Sequence, residues 1–190
     1  MSHPSRSFLV AGLLLTLAGA AIADDKCLVK AVLGGKPVTM KSCVISIYDE
    51  SSVTLFFTES PLPAEEAAAF QFNSYPQDKD AAGKPRSMVA FAFCPGGEKK
   101  IPSPAAVKSV EMNVAHPSSP FLGRQWVFDL PKDKEILKIE KLSGKLALGG
   151  RLAGRITGGK TSDGLKYSWE ADFDVQLPQK ASAAGQACGP

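Results

Sequence analysis

The sequence predicts an all-β, disulfide-stapled protein: an antiparallel β-sandwich or open barrel of about eight or nine strands with one short helix. Two observations favour this class. Apolar and polar residues alternate along most of the chain, and Gly- or Pro-rich turns separate these stretches at short intervals. Parallel sheets need crossover helices, which the sequence does not provide. With 44% hydrophobic residues, the 190-residue chain is long enough to bury one core.

Residues 1–23 have the pattern of a cleaved secretory signal peptide. One cation, Arg6, precedes an apolar run from Phe8 to Ala21, and the residues up to Ala23 fit the small-x-small rule for cleavage. The run is too short to cross a bilayer comfortably, and no later stretch is apolar over that length. We therefore expect a mature chain that begins at Asp24, has no transmembrane anchor, and resides in the periplasm or outside the cell.

Four cysteines, an even number in an oxidising compartment, predict two disulfides. The segments on either side of residues 34–36 are predicted to form a hairpin with a three-residue loop centred on Gly35. That register places Cys27 opposite Cys43, at a separation that a disulfide can bridge. The sequence therefore predicts a bond between these two residues within one hairpin.

The first pairing leaves Cys94 for Cys188. This second disulfide would tether a low-complexity tail, residues 181–190, to a single β-rich domain formed by residues 24–180. The alternative is that Cys188 is a free thiol in a mobile tail. Zinc binding by these cysteines is not expected, because no pair has the usual ligand spacing.

The first half of the chain gives several predicted elements. Residues 53–58 are rich in β-branched and aromatic side chains and predict a third strand. Residues 63–70 begin with Pro and two acids and continue as an Ala-rich run, which indicates a helix of about two turns. Residues 73–87 are polar and turn-rich, so a surface loop is expected. Residues 87–94 are almost uniformly apolar and predict a strand buried on both faces.

Two further strands are predicted after a loop at residues 95–104. In residues 107–116, apolar and polar positions alternate, which is typical of a half-buried strand. Residues 124–130 form the next strand, with Trp126 and Phe128 on the same face. Proline-containing turns bound this second strand on both sides.

The last third of the sequence predicts a three-stranded meander. Residues 137–148 form one long strand whose alternation changes parity near Lys141, which is typical of a β-bulge. Alternation continues through residues 151–157, and it is uninterrupted through residues 167–177. The glycine-rich residues 158–164 are expected to be the loop between these two strands.

Catalytic and metal-binding motifs are weak in this sequence. His116 is the one histidine left after the signal peptide is removed, and no Gly-x-Ser-x-Gly motif accompanies it. Residues 78–83 match some positions of a calcium loop, but Ala82 and Val89 stand where oxygen ligands are required. We therefore expect no metal, no cofactor and no enzymatic activity.

Three carboxylates line the outward face of the last predicted strand: Glu170, Asp172 and Asp174. Carboxylates two residues apart on a strand have a spacing suited to glycoside hydrolysis or cation binding. A register that pairs Gly154 with Trp169 would place Arg151 opposite Asp172, so cross-strand ion pairs explain the carboxylates without catalysis. The structural interpretation is preferred, and a carboxylate-dependent hydrolase is the least favoured function.

By elimination, the sequence favours an exported, non-catalytic binding module of the cell envelope or exterior. Its expected partner is another protein, with inhibitor and immunity roles included. Nucleic acid is not expected, because a net charge of +3 is too small. The loops at residues 73–87, 95–104 and 117–123 are expected to carry the contacts. Candidate contact residues in or beside them are Tyr75, Asp78, Asp80, Lys84, Arg86, His116 and Phe121.

The alternative function is a carrier that holds an apolar small molecule between or inside the sheets. Residues 88–93 are apolar on both faces, and residues 167–177 form a strand rich in aromatic side chains. Both features are typical of proteins that enclose an apolar ligand.

Overall fold

A computed structural model describes residues 25–48, 52–59, 61–62, 87–94, 107–115, 124–130 and 132–181 of the protein. Within these ranges the chain forms ten β-strands and no helix. In chain order the strands are β1 (Lys26–Leu33), β2 (Lys36–Met40), β3 (Ser42–Tyr48), β4 (Ser52–Thr58), β5 (Met88–Cys94), β6 (Ser109–Ala115), β7 (Arg124–Asp129), β8 (Leu137–Gly144), β9 (Arg151–Ser162) and β10 (Leu165–Gln176).

The strands form two five-stranded antiparallel sheets. Sheet A has the order β2-β1-β10-β9-β8, and sheet B has the order β3-β4-β5-β6-β7. Within each sheet, neighbouring strands are also adjacent in sequence, except for β1 and β10. No ladder joins β2 to β3 or β7 to β8 in the part of the chain that the structure describes. The predicted all-β class is confirmed, in its sandwich form, with ten strands instead of eight or nine.

One hydrophobic core lies between the inner faces of the two sheets. Aromatic rings meet across it: the ring centroids of Phe57 and Phe93 in sheet B lie 6.4 and 6.2 Å from that of Phe173 in sheet A. Within sheet B, Phe57 packs edge-on against Phe91 at 6.1 Å. Burial of each such side chain stabilises the fold by about 1.5–3 kcal/mol, so this contact between sheets is a main source of stability.

The predicted disulfide between Cys27 and Cys43 is confirmed, with Cα atoms 5.8 Å apart. The predicted geometry of that bond is wrong. Cys27 lies on β1 of sheet A and Cys43 on β3 of sheet B, because the chain changes sheet at Lys41 and does not continue as one strand. The disulfide therefore joins the two sheets and does not bridge one hairpin.

The hairpin itself also differs from the prediction. β1 and β2 are joined by a two-residue turn at Gly34 and Gly35, and Leu33 pairs with Lys36. Both glycines have positive φ, 59° and 85°, which is the signature of a type I′ turn. The predicted three-residue loop would have shifted the pairing by one position, and it would have turned every side chain of one strand to the other face.

Several predicted elements lie outside the described residues. These are the signal peptide at 1–23, the helix at 63–70, the loops at 73–87 and 95–104 apart from Ser87, and the tail with Cys188. The pairing of Cys94 with Cys188 therefore stays a prediction. The strands expected near residues 53–58, 87–94, 107–116 and 124–130 are confirmed as β4, β5, β6 and β7.

The predicted bulge near Lys141 is confirmed as a register shift between Ile139 and Lys141. The strand is shorter than expected, however. It ends at Gly144, whose φ of +110° is not compatible with a continuing strand, and the chain turns before β9 begins. Residues 145–150 thus belong to the connection between β8 and β9.

The loop predicted at residues 158–164 is also wrong. β9 continues to Ser162, and a two-residue turn at Asp163 and Gly164 leads into β10. The pairing is consequently shifted by four residues from the predicted register: Gly158, and not Gly154, lies opposite Trp169. Gly158, a residue of the predicted loop, lies in β9 beneath the ring of Trp169.

Candidate binding surface

The seven candidate contact residues lie outside the described residues, but the strands that anchor them are described. Thr58 pairs with Met88, and Met88 pairs with Ala115. The connections 59–87 and 116–123 are therefore attached at neighbouring positions, at the same end of sheet B. All seven residues, Tyr75, Asp78, Asp80, Lys84, Arg86, His116 and Phe121, belong to these two connections.

The third predicted contact loop is attached elsewhere. β5 ends at Cys94 and β6 begins at Ser109, and these two residues pair at the opposite end of sheet B. Backbone hydrogen bonds from Lys108 N to Cys94 O and from Leu130 N to Lys108 O fix that end. The strand topology therefore separates the anchors of the loop at 95–104 from those of the other two.

The outer face of sheet B is buried next to the first pair of connections. Phe56, Met88 and Ala90 form a small apolar cluster there, all less than 4% exposed. Val44 and Leu62 pack against this cluster. Since Leu62 follows β4, the first part of the connection 59–87 folds back across the outer face of the sheet. The double-sided burial expected for β5 is confirmed.

A polar row crosses the same outer face in register. Ser46 pairs with Thr54, Thr54 with Ala92, and Ala92 with Glu111, and all four residues are buried. The hydroxyls of Ser46 and Thr54 have no hydrogen-bond partner among the residues that the structure describes. Alternation in the sequence did not predict this row, since it shows which residues share a face but not whether that face is covered.

The carboxylates of β10 form ion pairs on the outer face of sheet A. Arg155 lies 2.6 Å from Glu170, 2.9 Å from Glu140 and 3.5 Å from Asp172. A second pair, Arg151 Nε to Asp174 Oδ1, measures 2.7 Å. The predicted cross-strand pairing of charges is thus present, but with different partners: Arg155, and not Arg151, lies opposite Asp172. The carboxylates that a hydrolase would use are therefore bound to arginines.

A second cluster closes one margin of the sandwich, where β7 approaches the β9–β10 hairpin. We call it the aromatic end and define it by five residues: Trp126, Phe128, Lys160, Tyr167 and Trp169. The two tryptophan rings stack, with centroids 6.4 Å apart and planes inclined by 20°. The ring centroid of Tyr167 lies 5.0 Å from that of Trp126, and the ring centroid of Phe128 lies 5.9 Å from that of Trp169. Lys160 Nζ lies 5.1 Å from the centroid of Trp126.

In the turn between β7 and β8, Lys132 Nζ donates a 2.7 Å hydrogen bond to Asp129 Oδ2, and this bond raises the pKa of Lys132.

No group of three or more His, Cys, Asp or Glu side chains in the described ranges is arranged to hold a metal ion. The described residues include no helix with the length and apolarity needed to cross a membrane.

No protein-family model matches the sequence, and neither a curated protein nor a solved structure matches it.

Proposed function

We propose that the protein is an exported, non-catalytic binding module that contacts another protein of the cell envelope or exterior. The observation that carries the proposal is the common anchoring of the connections 59–87 and 116–123 at one end of sheet B. Binding residues are often carried by loops that a rigid scaffold positions. Here the scaffold is the sandwich, which the disulfide between Cys27 and Cys43 strengthens.

The base of the longer connection has a defined position on the scaffold. Leu62 packs beside Phe56 and Met88, so the connection is held against the sheet only a few residues after β4 ends. A segment fixed near its start loses less conformational entropy on binding than a free one. This placement suits a preorganised protein contact surface.

Export is supported by the chemistry of the cysteines. Disulfides persist in oxidising compartments and are rare in the cytosol. The Cys27–Cys43 bond therefore supports an oxidising compartment. Together with the signal-peptide pattern of residues 1–23, it favours a periplasmic or secreted protein.

The two rival functions have less support. A carrier would need space between the sheets, whereas Phe57 and Phe93 contact Phe173 across that interior. A hydrolase would need carboxylates free to act as acid and nucleophile, whereas Glu170 and Asp174 each form an ion pair with an arginine.

Affinity capture with a matched control tests the proposal. The tagged full chain is incubated with envelope and secreted fractions of its source, and captured proteins are identified by mass spectrometry. A loop variant carries Tyr75→Ala, Asp78→Ala and Phe121→Ala, and a control variant carries Lys138→Ala and Lys141→Ala on the exposed strand β8. We expect the loop variant to lose a specific partner that the control retains. If both variants retain every captured protein, the proposed contact surface is wrong.

A further inference from the structure

The indole N–H of Trp169 is a buried donor without an acceptor in the described part of the chain. Trp169 is 3% exposed, and its Nε1 has no hydrogen-bond partner among the described residues. A buried donor of this kind costs about 1–3 kcal/mol when it is left unpaired, so native proteins usually supply a partner. Aromatic rings of the cluster surround this donor, and no described residue accepts a hydrogen bond from it.

Lys160, in the same cluster, is a cation without a carboxylate partner among the described residues. It pairs with Tyr167 in register, so it lies on the inner face of sheet A, beside the buried rings. Its ammonium group lies over Trp126 and Phe128, at 5.1 and 6.0 Å from their centroids. None of the ion pairs among the described residues involves Lys160.

The margin of sheet A is open at this point on the β8 side. The ladder between β8 and β9 ends at the pair of Leu137 and Gly158. Beyond it, the segment from Lys160 to Ser162 pairs only with β10 among the described strands. An inward-pointing lysine is a known device for protecting such an edge from aggregation. That role explains Lys160, but it leaves the unpaired donor of Trp169 unexplained.

We propose that the aromatic end binds a small amphipathic carboxylate, such as a medium-chain alkanoate. The partly buried ring of Trp126 offers an apolar contact surface at the margin. Lys160 supplies a cation for the carboxylate, and Trp169 Nε1 supplies a donor for an oxygen acceptor. This site lies on β7, β9 and β10, and none of the five residues that define it belongs to the proposed protein-binding connections.

The tryptophans provide a direct readout, since Trp126 and Trp169 are the only two in the chain. Decanoate, which does not absorb at the excitation wavelength, is titrated into the full mature protein while tryptophan emission is recorded. 1-Decanol serves as the neutral probe of equal chain length. We expect decanoate to shift the emission in a saturable way, and to bind at least about tenfold more tightly than 1-decanol.

Three variants make the test specific. Lys160→Met removes the cation and Trp169→Phe removes the indole donor, so each is expected to weaken decanoate binding, the first by about tenfold. Lys138→Met, on the exposed face of β8, is the control and should bind like the unaltered protein. Isothermal calorimetry gives the affinity where a tryptophan is lost, and a thermal melt verifies that each variant is folded. Unchanged emission up to the solubility limit of decanoate, or equal affinity of the Lys160→Met variant, would overturn the proposal.

Discussion

Two glycines of β9 lie opposite two aromatic residues of β10, and these pairs determine how the hairpin packs. Gly154 pairs with Phe173, and Gly158 pairs with Trp169. A Cβ atom on Gly154 would lie 2.6 Å from Phe173 Cζ and 2.8 Å from the carbonyl oxygen of Lys141. Each ring therefore occupies the space that a side chain on the opposite strand would fill.

Gly158→Ala should destabilise the protein by about 1–3 kcal/mol, because the added methyl group overpacks the core. It would collide with the carbonyl oxygen of Ile136 and lie 2.8 Å from Trp169 Cζ2. Denaturant unfolding measures the change. Ala153→Ser, at an outward position of the same strand, is the control and should stay within about 0.5 kcal/mol. Equal stability of the two variants would mean that Trp169 does not rest on Gly158.

Trp169→Ala should cost about 3–5 kcal/mol, since it removes a buried ring that contacts Trp126 and Phe128. Asp172→Asn should change stability by less than about 1 kcal/mol. Arg155 would still bind Glu140 and Glu170, which lie closer to it than Asp172 does, and the Arg155–Asp172 pair is partly exposed. Denaturant melts of both variants decide the question. A mild effect of the first with a severe effect of the second would mean that the charges, and not the ring, hold β10 in place.

At the scale of single elements, alternation predicted the strands well and the register poorly. The uninterrupted pattern of residues 167–177 and the parity change near Lys141 were sufficient to locate β10 and the bulge. The register of β9 and β10 depends on where the turn lies, and the glycine-rich composition predicted a loop over residues 158–164, whereas the turn consists of Asp163 and Gly164 alone. A glycine beneath an aromatic ring has the same local sequence signal as a glycine in a loop.

Gly164→Ala tests the observed turn. Gly164 has a φ of +73°, and nothing lies within 4 Å of a Cβ built on it, so the cost of alanine is conformational and not steric. We expect a loss of about 1 kcal/mol in the free energy of unfolding. Asp163→Asn should be tolerated, because asparagine adopts positive φ readily. An unchanged melt for Gly164→Ala would indicate that the turn lies elsewhere in the hairpin.

The disulfide gives a second example of the limit on sequence-based prediction. The pairing of Cys27 with Cys43 followed from a hairpin that ran through Lys41, and the pairing was correct although the hairpin was not. Nothing in the local pattern marks Lys41 as the point where the chain changes sheet. The candidate contact residues remain predictions for a related reason, since loop composition does not determine the position of a loop.

At the scale of the whole molecule, the predicted export agrees with the disulfide, because disulfides persist in oxidising compartments. The signal-peptide pattern predicts that the exported protein begins at Asp24. Mass analysis of the N-terminal peptide measures this directly. Ala23→Leu should block cleavage and cause the precursor to accumulate, because the residue before the cleavage site must be small. Residues 1–23 still attached to the unaltered exported protein would contradict the prediction.

Removal of the disulfide should lower the free energy of unfolding by about 2–5 kcal/mol. Cys27 and Cys43 are 16 residues apart, and the chain-entropy model gives about 3 kcal/mol for closing a loop of that length. The bond also holds β1 of sheet A against β3 of sheet B. These two strands lie in different sheets and share no backbone hydrogen-bond ladder. The double variant Cys27→Ala, Cys43→Ala should therefore unfold at a lower denaturant concentration, while Ser42→Ala, on the same strand, serves as the control. Peptide mapping without reduction must first find Cys27 joined to Cys43. If the double variant is as stable as the control, packing between the inner faces is sufficient to hold the two sheets together.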